Sequence, residues 1–238
     1  IALSEIAWAE PAAKPGLDEF YRQLVPQFKR MDIMRVNYRI PDLQGFYKVN
    51  AFIDDATVNL TCPLPGTEIR YTTDGSMPTR KSSLYNGSLK IKETTDFAFR
   101  TFRPDGSPSD VARTRYVKAP YAEAVTAPAS LQPGLKAVWH NFRGNLCVDI
   151  DAAPVRGEYV VESVSIPEEV KGDIGLVITG YLEVPADGIY TFALLSDDGS
   201  TLMLDGELLG NNDGAHSPVE IIVQKALKAG LHPMEVRY

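Results

Sequence analysis

The side chains best able to do chemistry in this 238-residue chain are carboxylates, and four adjacent pairs stand out: Asp18-Glu19, Asp54-Asp55, Glu168-Glu169 and Asp197-Asp198. General acid–base work needs two carboxyls in unlike environments facing one substrate. Asp18-Glu19 falls in the first turn of an amphipathic helical pattern, where acids complement the helix dipole. Asp54-Asp55 reads as a solvated strand edge, and Glu168-Glu169, after Pro167, as a solvated loop. Asp197-Asp198 differs from these. It separates two strongly apolar strand patterns and is followed by Gly199-Ser200, with Asn211-Asn212-Asp213-Gly214 and His216 downstream. Two oxygen-rich turns at one end of a sandwich can converge on Ca2+, which takes roughly six to eight oxygen ligands. The plainer alternative is a pair of hairpin turns whose acids bond local amides, and the residue types alone favour it.

Other chemistries find little support. His140, His216 and His232 are widely spaced and have no nearby cysteine, which is not a zinc pattern. No serine or cysteine nucleophile stands in a recognisable context, and no glycine-rich phosphate loop is present. Asp74-Gly75-Ser76, with Pro78 and Thr79, has the residues a tight turn demands. The two cysteines, Cys62 and Cys147, do not make a disulfide framework. A net charge of −7 argues against nucleic acid, which requires a basic face, and leaves room for a divalent cation or a neutral sugar. No apolar run reaches the ~20 residues of a membrane span. The chain opens at Ile1 inside an apolar pattern, and a longer protein is expected upstream.

The elements that position these groups change along the chain. Leu17, Phe20, Tyr21, Leu24, Val25, Phe28 and Met31 repeat at helical spacing, with Pro26 expected to kink the helix. Residues 1–43 therefore read as helix and extended tail, too little to bury their apolar face alone. Residues 44–118 alternate apolar and polar positions between turn signals such as Asp74-Gly75 and Asn86-Gly87, and predict a β-sandwich of about seven strands. Residues 119–132, rich in alanine with two prolines, read as a linker. Residues 133–238 predict a second β-sandwich, with turns at Asp187-Gly188, Asp197-Gly199, Asp205-Gly206 and Asn212-Gly214. The last strand pattern runs to Tyr238, and whether that strand is complete stays open. The fold expected is mainly β, with two sandwiches in tandem.

Three stretches resemble known families. ALSEIAWAE and LDEFYRQLVPQFKRMDIMRVNYRIP resemble the end of the catalytic (β/α)8 barrel of family-twenty glycoside hydrolases, the β-N-acetylhexosaminidases. Arg30-Met31-Asp32 and Val36-Asn37-Tyr38-Arg39 fill the family pattern, and Arg35 stands where a glycine is usual. Residues 68–116 are similar to the chitobiase/hexosaminidase C-terminal β-domain, through Ile69 to Thr79, Ser83 and Tyr85. Residues 133–238 resemble the protective-antigen-type β-sandwich, through GLKAVWHNF, YLEVPADGIYTFALLSDDGSTLMLDGELL and NNDGAH.

These resemblances imply a short helical remnant of the barrel at 1–43, followed by the two sandwiches. They imply the non-catalytic C-terminal accessory region of an exported enzyme, periplasmic, cell-surface or secreted, that removes terminal N-acetylhexosamine from glycans. The family's catalytic Asp-Glu pair lies in a "GGDE"-like motif, which would stand upstream of Ile1; Asp18-Glu19 lacks the glycines. The partners implied are an N-acetylhexosamine-containing glycan and the upstream barrel in cis. Adhesins with the last domain hold Ca2+ on a paired aspartate with a cis peptide, and Asp197 and Asp198 match that pair. Asn212, Asp213 and His216 join them as candidate carbohydrate-binding residues. A structural spacer, or a stand-alone carbohydrate-binding or adhesin module, is the alternative.

Overall fold

The computed structural model describes residues 16–238, and the side chains of Leu17 and Asp18 lie outside what is described. The ALSEIAWAE segment likewise falls outside the described residues. The rest is mainly β, as the patterning predicts. Contacts divide it into two compact units. One takes residues up to 46 with 57–90 and 95–114; the other takes 47–56, 91–94 and 115–238.

The first unit holds the long helix, α1 (Leu17–Ile33), which runs unbroken through Pro26. Its buried face is supplied with a partner by the β-domain that follows. Phe28, Ile40 and Leu64 form a buried cluster, flanked by Leu24, Met31, Tyr38 and Cys62. The helix ends on Arg35 at φ 55°, the left-handed region, with Val36 N donating to Met31 O at 2.9 Å and Arg35 N to Asp32 O at 3.1 Å. This is the Schellman geometry that glycine satisfies without strain, and it explains the glycine usual in the resembled pattern. The same pattern ties the helix down. Tyr38 stacks on Phe28 with ring centroids 4.7 Å apart, and the Arg103 guanidinium lies 4.6 Å above the Tyr38 ring. Arg103 also pairs with Asp32, and Arg39 pairs with Asp42 at 2.9 Å and Asp110 at 3.0 Å.

The seven strands expected over 44–118 are present: β1 (Val49–Phe52), β2 (Ala56–Val58), β3 (Glu68–Thr72), β4 (Ser83–Leu84), β5 (Leu89–Ile91), β6 (Thr95–Phe102) and β7 (Pro108–Lys118). Five make a sheet of order β1-β7-β6-β3-β4, and β2 pairs with β5. Phe97, Phe99, Tyr71 and Tyr85 cluster at its core. Tyr85 Oη accepts the Leu60 amide at 2.7 Å and donates to Gly87 O at 2.6 Å, which satisfies a buried hydroxyl. In the Asp74-Gly75-Ser76 turn, Asp74 Oδ1 accepts from Ser76 N at 3.0 Å and from Ser76 Oγ at 2.6 Å.

In the second unit, the remaining strands are β8 (Leu135–His140), β9 (Val155–Val161), β10 (Gly175–Val184), β11 (Gly188–Ser196), β12 (Ser200–Leu204), β13 (Glu207–Asn212), β14 (Val219–Leu227) and β15 (Gly230–Arg237). Six form a sheet of order β13-β12-β15-β10-β8-β9, and β11 pairs with β14. Phe192 and Leu194 of β11 pack on Ala137, Leu176, Ile178, Leu202 and Val236 of the larger sheet, closing a sandwich. Residues 119–132, read as a linker, are hydrogen-bonded to this sandwich. Ala122 N donates to Ala226 O at 2.9 Å and Val125 N to Leu231 O at 2.8 Å. Tyr238 exchanges both backbone hydrogen bonds with Leu176, at 2.7 and 3.0 Å.

Candidate functional site

The chain reverses twice at one end of the second sandwich. β11 ends at Ser196, turns through Asp197-Asp198-Gly199 and re-enters as β12 at Ser200. β13 ends at Asn212 and leads through Asp213 and His216 to β14. A buried polar tie fixes the base of both turns. Ser196 Oγ and Ser200 Oγ lie 2.7 Å apart, and Asn212 Nδ2 donates to Ser196 Oγ and to Val219 O at 2.9 Å each. Each buried polar atom in this tie has a partner, as a low-dielectric interior requires.

Above the tie, Gly199 lets the two turns touch. A Cβ at this position would lie 2.7 Å from Gly214 N and 2.9 Å from Asp213 Oδ1. Serine or alanine there would force the turns apart. Asp213 is held in turn: its carboxylate accepts from Cys147 N at 2.9 and 3.2 Å and from Gly214 N at 2.9 Å. Cys147 opens the 3-10 helix Cys147–Ala152. Burial, with the Asp213 carboxylate beside it, pushes the Cys147 thiol up to about 12, so it stays neutral.

The result is a hollow of about 260 Å³ with a mixed lining, Asp197, Asp198 and Asp213 together with Phe142, Leu146 and Ile174. The Asp197-Asp198 peptide is cis, as the adhesin resemblance implies. Both side chains are exposed. Asp198 Oδ1 accepts only the His216 amide, at 3.1 Å, and among the described residues no hydrogen bond or ion pair reaches the Asp197 carboxylate. The Asp197 backbone carbonyl accepts Tyr238 Oη at 2.6 Å. Lone pairs of both acids are thus left for a ligand.

The sequence-predicted residues divide accordingly. Asp197, Asp198 and Asp213 share the hollow. Asn212 is 6% exposed and serves the tie beneath, not the surface. His216 contacts the site through its amide, while its ring nitrogens face carbonyls, Nε2 to Asn212 O at 2.9 Å and Nδ1 to Ser217 O at 2.8 Å. Those carbonyls, and then the Asp198 and Asp197 charges, raise its pKa above the ordinary value. Ser196, Ser200, Cys147 and Tyr238 were not singled out by sequence reasoning. Ser196 and Ser200 flank Asp197-Asp198-Gly199 in the sequence, but their contact joins β11 and β12, strands of different sheets, and strand alternation carries no sign of it. The other two histidines have separate structural roles. His232 is fully buried between Asp205 Oδ1 and Lys228 O, both at 2.9 Å, and His140 Nδ1 contacts Ala153 O at 2.9 Å.

Among the described residues, no three His, Cys, Asp or Glu side chains are grouped closely enough to cage a metal. A closed protein cage therefore does not fit. The groups that could serve a hard cation at an open site are the exposed Asp197 and Asp198 carboxylates, with further positions left to other oxygens.

Comparison with known proteins agrees with this layout. Residues 131–238 match the family described as PA14 domain, and residues 48–114 match the chitobiase/beta-hexosaminidase C-terminal domain. A Beta-hexosaminidase of Porphyromonas gingivalis (strain ATCC BAA-308 / W83) is 28% identical over 99% of this chain and 31% of its own length. The chain resembles the C-terminal region of a beta-hexosaminidase. It spans 31% of the length of that relative. Among solved structures, the PA14 domain of the MpAFP antifreeze protein has a TM-score of 0.40 at 17% identity, covering 49% of this chain and 80% of that one. The GH31 alpha-xylosidase Xac1773 of Xanthomonas citri has a TM-score of 0.35 at 14% identity, covering 77% of this chain and 22% of that one. The Asp197–Asp198 hollow thus belongs to the PA14-type domain, and the Tyr85 clamp to the hexosaminidase C-terminal type.

Proposed function

We propose that this chain is the non-catalytic accessory region of an exported β-N-acetylhexosaminidase, and that its PA14-type domain binds glycan in the hollow at Asp197–Asp198. The carrying observation is the pair of exposed carboxylates with free acceptor positions in a hollow also lined by apolar side chains. A sugar presents the matching chemistry. Its hydroxyls are donors for carboxylate oxygens, and its C–H face or an acetamido methyl suits Phe142, Leu146 and Ile174.

Ca2+ bound by Asp197 and Asp198 would offer vacant coordination positions to vicinal hydroxyls. The remaining work falls to the protein. The Ser196–Ser200–Asn212 tie orients the acids in advance, Asp213 fixes the 3-10 helix that carries Cys147 and Ile150, and Tyr238 anchors the Asp197 carbonyl. Sites held by locked neighbours bind with less ordering cost.

Cleavage would belong to an upstream barrel in the same polypeptide. The likeness of this chain to a Beta-hexosaminidase supports that reading. No helix among the described residues is long and apolar enough to cross a membrane.

The test is calorimetric titration of the 238-residue chain with N-acetylglucosamine, N-acetylgalactosamine and their disaccharides, in Ca2+ and in EDTA. Saturable binding that Asp198→Asn abolishes would support the reading. Indifference of the wild-type chain to all of them in both buffers would favour a structural spacer.

A further inference from the structure

The opposite, outward face of the six-stranded sheet has a different character from the Asp197–Asp198 end. Alternate residues of a strand share a face. The core takes Leu176 and Ile178 of β10, so Thr179, Tyr181 and Glu183 face outward. Register then builds a row across four strands. Lys136 of β8 stands opposite Thr179, Thr179 opposite Glu235 of β15, and Glu235 opposite Met203 of β12. One step along, Tyr181 stands opposite Pro233.

Two hollows flank Tyr181 on this face. One of about 460 Å³ reaches Met203, Pro233 and Glu235, and one of about 500 Å³ reaches Lys136, Glu183 and Val160. Both are lined by Thr179, Gly180 and Tyr181, so the ring stands on the ridge between them. Each falls in the ~300–1,000 Å³ range of small-molecule sites. Tyr181 is 37% exposed, and among the described residues no hydrogen bond reaches its hydroxyl or the Glu183 carboxylate.

We propose that this face is a second carbohydrate-binding surface, on which Tyr181 stacks against one pyranose of an extended, uncharged oligosaccharide lying across β8, β10 and β15. The lining is double in character. The Tyr181 ring and Pro233 offer flat apolar area to the C–H face of a sugar, and the Lys136–Thr179–Glu235 row, with Glu183, offers donors and acceptors to its equatorial hydroxyls. Lys136 pairs with Glu158 at 2.9 Å and Glu235 with Arg237 at 2.6 Å; a helix or lipid surface would desolvate these charges together with the Glu183 carboxylate, which is costly. Glu183, Glu235 and a net charge of −7 disfavour an anionic polymer. A ligand long enough to fill both hollows spans several sugar units, unlike a terminal residue held at Asp197–Asp198.

The test is calorimetric titration of the whole chain, in EDTA, with hexasaccharides of β-1,4-linked N-acetylglucosamine, glucose and mannose. Saturable binding of at least one hexasaccharide is expected, with the corresponding monosaccharide far weaker. Tyr181→Ala and Tyr181→Leu should weaken it by about tenfold or more, as truncating a central aromatic anchor does, while Tyr181→Phe retains it. The leucine variant keeps apolar bulk, so loss of binding there reports the ring and not the fold. Absence of binding to all three hexasaccharides, or binding indifferent to both ring deletions, overturns the proposal. Binding abolished by Asp198→Asn also overturns it, and places the oligosaccharide in the other hollow.

Discussion

Asn212 sits 6% exposed with both of its amide donors engaged, 2.9 Å from Ser196 Oγ and 2.9 Å from Val219 O. Removing them takes one of two hydrogen bonds from Ser196 Oγ and the side-chain donor from Val219 O, at about 1–3 kcal/mol. Asn212→Ala should therefore lower stability by roughly that amount in urea unfolding, and loosen sugar binding without touching a sugar-facing atom. Asn212→Asp should not rescue it, because a carboxylate supplies no donor. His216 gives a second prediction at this scale. Its pKa is raised, first by the Asn212 and Ser217 carbonyls and then by Asp198 and Asp197. A raised value means the folded chain holds the proton to higher pH than the unfolded chain. The stabilisation is then complete below the unfolded value and is lost as pH rises through the folded one. An NMR titration of the His216 ring in EDTA should give a midpoint above the ordinary 6.5, lower in Asp198→Asn. A midpoint at or below the ordinary value would contradict the two carbonyl contacts.

Among the elements, α1 shows how a family pattern becomes physical. Arg30-Met31-Asp32 and Val36-Asn37-Tyr38-Arg39 could be matched as letters in the sequence. What they do could not be read there, because their partners, Leu64, Arg103 and Asp110, come from distant segments. Arg35 is the exception, since only a left-handed position explains a usual glycine at that point. Its φ of 55° is the strained case. Arg35→Gly should stabilise the chain by about 0.5–1 kcal/mol, the order of the relieved backbone strain less the added unfolded-state entropy. A melting scan that showed destabilisation would contradict the assignment of the helix end. Most strands were legible from alternation and turn residues, while the two-residue β4 and the break between β1 and β2 were not. Strand pairing was not legible either, since β13 neighbours β12 while β10 neighbours both β8 and β15. The β12–β13 pairing sets Ser200 opposite Asn212, and the turn through Asp197-Asp198-Gly199 brings Ser196 to both. This also explains why the aspartates were visible in the sequence and the frame beneath them was not. The alanine-rich stretch at 119–132 read as a linker because composition carries no sign of the Ala122 and Val125 backbone bonds.

For the whole molecule, two domains are matched and 31% of the length of a Beta-hexosaminidase is spanned; on the proposed reading a barrel upstream would cut and the domains here would hold. Two sugar surfaces on one sandwich, a cation-assisted hollow at its end and an aromatic face on its sheet, would retain an enzyme on a glycan while the barrel works. Linked weak sites raise effective concentration without new contacts. The central claim is that Asp197 and Asp198 form a ligand site and are not merely turn residues. The most direct measurement is thermal unfolding of the chain with EDTA and with millimolar Ca2+, beside Asp198→Ala. A site filled at ~100-fold over its dissociation constant stabilises the fold by about 2.7 kcal/mol, and a shift of a few degrees follows for a chain of this size. The account predicts that shift in the wild-type chain and its loss in the variant. Equal melting in both buffers, at any Ca2+ concentration up to ten millimolar or so, would contradict a calcium-assisted site and leave the pair as turn residues.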